Sequence, residues 1–146
     1  MGKIVKPDGG FRTNVESEIS GRIAKVFERN PASSAAKLEH FPKYLRRQRV
    51  TRYLALYELF KLAMPVKGSI VECGVNEGFG LMSWANFSAA LEPNNLTRRI
   101  YGFDTFDGFP EPSAKDASRK FAPKKGNLRA DSYSELQDLI KIYDDN

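Results

Sequence analysis

A single cysteine, Cys73, leaves the chain without an internal disulfide, which suits a cytoplasmic setting. The one histidine, His40, has no catalytic partner beside it. It could act as a general base, but a surface or packing role carries more weight. Long apolar runs are missing as well, and nothing approaches the roughly 20 residues that cross a bilayer. The start, Met1-Gly2-Lys3-Ile4-Val5-Lys6-Pro7, has no apolar core of a signal peptide. Gly2 fits the opening of a myristoylation signal, yet Lys6 stands where serine or threonine is wanted. The net charge of +5 is read as spread along the chain, favouring anionic partners weakly without amounting to a nucleic-acid footprint.

What is present fits one soluble globular domain at most: 146 residues, 41% hydrophobic and 28% charged. The organising stretch is Ser69-Ile70-Val71-Glu72-Cys73-Gly74-Val75-Asn76-Glu77-Gly78-Phe79-Gly80. Ile70 and Val71, after a Lys67-Gly68 turn, predict a short buried strand. Leu81 to Leu91 contains no proline and predicts a helix. Strand, glycine turn and helix open a nucleotide-binding α/β unit, because glycine allows positive φ and close backbone approach. The spacing Gly-x-x-x-Gly-x-Gly is not the Gly-x-Gly-x-x-Gly of a dinucleotide site, and no Gly-Lys-Ser/Thr follows, which excludes an NTPase phosphate loop. A glycine turn without a ligand is the plain alternative.

Around this centre the chain reads as helices and a second strand. Residues 1–12 are a loose arm. Thr13-Asn14-Val15-Glu16 is a capping box, and Val15, Ile19, Ile23, Val26 and Phe27 recur at helical spacing until Asn30-Pro31. Residues 31–42 read as a connector. Pro42-Lys43 opens the longest helix, ending near Ala63, with Val50, Tyr53, Leu54, Tyr57 and Phe60 as its apolar stripe. Its Arg46, Arg47, Arg49 and Arg52 suit an anionic substrate or, more simply, a solvated face. Ile100-Tyr101-Gly102-Phe103-Asp104 predicts a second strand, parallel to the first through the intervening helix. A carboxylate at such a strand end, Asp104, can accept hydrogen bonds from ribose hydroxyls; a turn or helix cap is the alternative. Phe106 and Phe109 can cover an apolar ligand face or pack in the core. Residues 113–130 read as a lid or a disordered loop. Ser132-Tyr133-Ser134-Glu135 is a second capping box, ahead of Leu136, Leu139, Ile140 and Tyr143.

Two blocks carry a resemblance to a known family. Glu72-x-Gly74-x-x-x-Gly78 resembles motif I of class I S-adenosylmethionine (SAM) methyltransferases. Tyr101-Gly102-Phe103-Asp104-Thr105-Phe106-Asp107-Gly108-Phe109-Pro110 resembles the Asp-Ser-Phe-x-Gly-apolar-Pro signature of the macrocin O-methyltransferase (TylF-type) family. The likeness runs from about Lys43 onward. It implies SAM as cofactor and methyl transfer to a sugar hydroxyl. It further implies that Glu72, Gly74 and Gly78 flank the methionine and ribose parts and that Asp104 holds the ribose, with Val75, Thr105 and Phe106 beside them. The acceptor expected is a small molecule, nucleotide sugar or glycoside; no nucleic acid or membrane is expected, and a homo-oligomer is allowed. The family commonly carries Trp-Arg where this chain has Asn76-Glu77.

The expected fold is therefore α/β, an incomplete Rossmann-like (class I methyltransferase) domain with N-terminal helices plus the first two parallel strands. Residues 1–42 form an N-terminal arm and helix, and 43–146 the first part of the SAM-binding domain. No catalytic residue and no metal ligand are assigned; magnesium would belong only to a complete domain. Two strands alone make a marginal sheet with an open edge, so the chain reads as part of a larger domain. A NAD-binding half-domain and a non-catalytic interaction protein on the same fold are the rival readings.

Overall fold

Helix stops and glycine turns set the element order in the computed structural model, which describes residues 14–111, 113, 115 and 123–144. Helix α1 spans Asn14–Arg29. It ends at the expected place because the Asn30 side chain accepts from the Ala32 amide at 3.0 Å, just where Pro31 removes a donor. The arm 1–12 and the Thr13–Glu16 cap lie outside the described side chains. The expected connector is not featureless. Ser33 accepts from the Ala36 amide at 3.2 Å and caps a short helix α2, Ser34–Glu39. A 3-10 turn, Phe41–Tyr44, follows with Pro42 in its first turn. Leu45 is extended at φ −82°, ψ 137°, so the long helix α3 opens later than expected and spans Arg47–Ala63.

The chain divides into two units, Met1–Ala55 and Leu56–Asn146. The first holds 12 of the 23 lysines and arginines and 5 of the 18 acids, a net +7, against −2 in the second. The charge is thus concentrated, and the expected even spread is corrected. Within the first unit, Phe27 meets Tyr44 edge to face at 4.9 Å, Lys37 lies over Phe27, and Asn30 Nδ2 donates to the Tyr44 hydroxyl at 2.9 Å.

The second unit carries the sheet. Strands β1, Ile70–Cys73, and β2, Ile100–Phe103, pair in parallel with Ile70 opposite Ile100 and Cys73 opposite Phe103. Between them in sequence runs α4, Phe79–Leu91. Alternation along the strands separates two faces. Ile70, Glu72, Ile100 and Gly102 share one, and a Cβ on Gly102 would strike Val75 and Leu81. Val71, Tyr101 and Phe103 share the other and are 58%, 48% and 61% exposed. The strands form as expected, but the first is buried on one face only, because no second layer covers Val71 among the described residues. Helix α5, Tyr133–Asp144, places Leu136 in a core with Val75 and Leu81. Of its expected stripe, Leu136 is buried and Leu139 half-buried, while Ile140 and Tyr143 are exposed.

Behind α4 a second cluster gathers Phe60, fully buried, with Trp84 and Phe87, and Tyr57 meets Phe87 at 5.7 Å. α4 is apolar on most sides because it is packed from both. Arg98 closes the end of α3. Its Nε meets Glu92 Oε2 at 2.6 Å, and its remaining donors reach the carbonyls of Met64, Val66 and Gly68 at 3.0–3.2 Å. One buried guanidinium so satisfies carbonyls left over where the helix stops.

Candidate functional site

The carboxyl ends of β1 and β2 lie side by side, which is where open parallel sheets bind ligands. Gly74 extends the pairing by donating its amide to the Phe103 carbonyl at 2.8 Å. It sits at φ +91°, and the position a Cβ would take has no atom within 4 Å. Gly78 is also left-handed, at φ +80°, and opens α4 as its N-cap. Its Cβ position is filled instead by Leu136 of α5. Gly80, in the first helical turn, has its Cβ position filled by the Glu72 carboxylate. That carboxylate therefore lies against the positive end of α4, a favourable placement for an anion. The glycines thus serve three needs: open approach at Gly74, room for a helix at Gly78, and room for a carboxylate at Gly80.

Asp104 stands at the end of β2 and turns back onto this loop. Its Oδ2 accepts from the Asn76 amide at 2.8 Å and its Oδ1 from the Phe106 amide at 2.7 Å. Burial pushes its pKa up, yet the amides of Asn76, Phe106, Val75 and Thr105 outweigh that and hold it below the usual aspartate value. Thr105 is exposed, and Phe106 is half-buried at φ +59° with its ring 5.3 Å from Tyr133. Val75 is buried in the core. The seven expected residues therefore come together at one sheet end, although Val75 and Gly78 face the core and not open space. Phe109 exchanges hydrogen bonds with Gly126 and Asn127 at 2.9 Å, and Ala130 donates to Phe106. The segment 123–130 of the expected lid is therefore fastened to the turn after β2.

Two further residues join the site, Asn76 and Ser132, neither of them among the seven expected. Asn76 is left-handed at φ +50°, and its carbonyl accepts from the Ser132 hydroxyl at 2.6 Å. The capping-box pattern flagged Ser132, but its hydroxyl reaches across to the loop. A groove of about 670 Å³ between α4, β2 and α5 is lined by Leu81, Tyr101, Ile140 and Tyr143 among others. It touches Val75 and Phe106 but not Gly74 or Asp104. His40 is exposed at the end of α2, in the other unit. Among the described residues no three histidine, cysteine or acidic side chains gather as a metal site, and no helix is long and apolar enough to cross a membrane.

The fold has solved counterparts. The structure of CalS11, a calicheamicin methyltransferase, superposes with a TM-score of 0.83 at 27% identity, covering 98% of this chain and 56% of that one. The apo structure of CalS11, described as a TDP-rhamnose 3'-O-methyltransferase of calicheamicin biosynthesis, gives 0.70 at 28% identity over 90% of this chain and 50% of that one. The chain thus resembles a sugar O-methyltransferase and spans about half its length. No protein-family model matches the chain, and no curated protein matches it by sequence. Among the described residues the architecture is that of an incomplete Rossmann-like domain with two parallel strands.

Proposed function

We propose that the chain is the SAM-binding part of a macrocin-type O-methyltransferase whose acceptor is a sugar hydroxyl on a nucleotide sugar or glycoside. The observation that carries this reading is Gly74: a left-handed glycine at paired strand ends, open where its neighbours are filled. The likeness to CalS11 supports it over nearly the whole chain. When bound, SAM supplies a methyl group on a sulfonium centre for transfer to an oxygen. The chain's own residues would bind and orient it. Gly74 admits the amino-acid portion alongside the backbone. Glu72 lies against the first turn of α4, and Asp104 shapes the loop and faces the ribose side. Thr105 and Phe106 border that side, while Val75 and Gly78 hold the loop to the core. No residue described here is assigned as base or metal ligand. On this reading the protein works in the cytoplasm.

The test is calorimetric titration of SAM and of NAD into the same sample. SAM should bind and NAD should not, and Gly74→Val should abolish the SAM signal because its side chain enters the open space. Binding of NAD with none of SAM would replace this reading by a nicotinamide-binding one.

A further inference from the structure

Asn76 has the left-handed backbone of a turn residue. Its amide is held by Asp104 Oδ2 at 2.8 Å, and its carbonyl by the Ser132 hydroxyl at 2.6 Å. These two groups belong to the peptide planes on either side of its Cα. Holding both restrains φ and ψ of the residue between them. Left-handed backbone is costly for a residue with a Cβ and persists only where the surroundings impose it. Here the imposition comes from two elements, the end of β2 and the start of α5.

We propose that Ser132 is a positioning residue for the cofactor loop, holding the Asn76–Glu77 peptide from α5 while Asp104 holds the preceding peptide from β2. Ser132 is 1% exposed, so its hydroxyl has little water to turn to, whereas Asn76 is exposed. Four residues on, Leu136 fills the space above Gly78. The start of α5 thus meets the loop twice, once through Ser132 just before the helix and once by the packing of Leu136. Asp104 carries the amides named above, so its effect on a ligand passes at least partly through the loop. The Asn76 side chain has no part in the clamp; asparagine suits the site because it tolerates left-handed backbone.

The role in binding rests on the SAM reading, but the clamp can be tested without ligand. Backbone amide exchange would be followed by NMR in the full chain, its Ser132→Ala variant and its Ser132→Thr variant. Removing one hydrogen bond is expected to speed exchange around Asn76–Gly78 about fivefold. The Gly74 amide, which pairs with Phe103, should keep its rate. Threonine retains the hydroxyl and should restore the loop. SAM affinity should fall by about the same factor in Ser132→Ala and recover in Ser132→Thr, with little change in melting temperature. Unchanged loop exchange in Ser132→Ala would overturn the clamp. Equal acceleration of the loop and of Gly74 would also overturn it, since the serine would then be supporting the whole unit. Absence of SAM binding by the unaltered chain would refute the functional reading alone, and exchange would still decide the clamp.

Discussion

The two halves of α3 lie in different units and are held by different means. Val50, Tyr53 and Leu54, in the Met1–Ala55 unit, are 39%, 40% and 54% exposed. Phe60, in the Leu56–Asn146 unit, is fully buried among aromatic rings. Every described residue that is buried lies in the second unit. Contacts within the basic first unit include caps, an edge-to-face ring pair, Lys37 over Phe27 and a tyrosine hydrogen bond. A single apolar stripe, regular from Val50 to Phe60, therefore conceals two levels of burial. Periodicity reports which face of a helix is apolar; what covers that face is decided elsewhere in the chain.

The largest expected effect makes this difference measurable. Phe60→Ala should cost about 3–5 kcal/mol, since the ring leaves a cavity between α3 and α4. Leu54→Ala should cost about 0.5 kcal/mol or less, as at an ordinary surface site. Urea unfolding of both variants gives the comparison. Equal shifts in midpoint would mean that Leu54 is covered in solution and that the contrast between the units is false.

Next in size is a pair within the loop. Gly74 and Gly78 share positive φ, so an alanine at either bears the left-handed cost of about 1–2 kcal/mol. Gly78→Ala must also displace Leu136 from the core, whereas Gly74→Ala meets nothing. The first should lose stability well beyond the backbone cost; the second should lose the backbone cost and little more. Thermal unfolding of the two variants separates them. A larger loss at Gly74 would show that its open side is filled by protein.

Much of this loop is legible in the sequence. Gly68 turn, strand, glycine loop, helix and acidic strand end follow from local chemistry, and each stands where the residues place it. Most of the differences share one cause, which is contact between residues distant in the chain. Val71 reads as buried because β-branched residues mark a strand without saying which face is covered. Arg98 carries no local sign of its role, because its guanidinium reaches carbonyls more than 30 residues earlier. Asn76 acts through its backbone, so no side-chain pattern could reveal its clamp. Ser33 and the helix formers after it were a local signal for α2, masked by the prolines on either side.

The smallest effect concerns the Glu92–Arg98 pair, which fastens the region after α4 to the end of α3. Both side chains are nearly buried, at 10% and 5% exposure. The Arg98 hydrogen bond lowers the Glu92 pKa against the opposing pull of desolvation, and Asn95 and the charge of Arg98 add to it. A carboxyl group whose pKa is lower folded than unfolded binds protons more tightly in the unfolded chain. Its stabilising share is complete above the unfolded value of about 4.3 and disappears as pH falls through the folded value. Above that range the term is constant, so it adds no slope near neutrality. Glu92→Gln keeps much of the shape and removes the titration. The variant should be less stable than the parent at pH 7, and its stability should fall less steeply below about pH 4.5. Urea midpoints taken from pH 7 to pH 3 would show the two curves converging. Parallel curves over that range would mean that Glu92 ionises alike in both states and that Arg98 is held by the helix carbonyls alone.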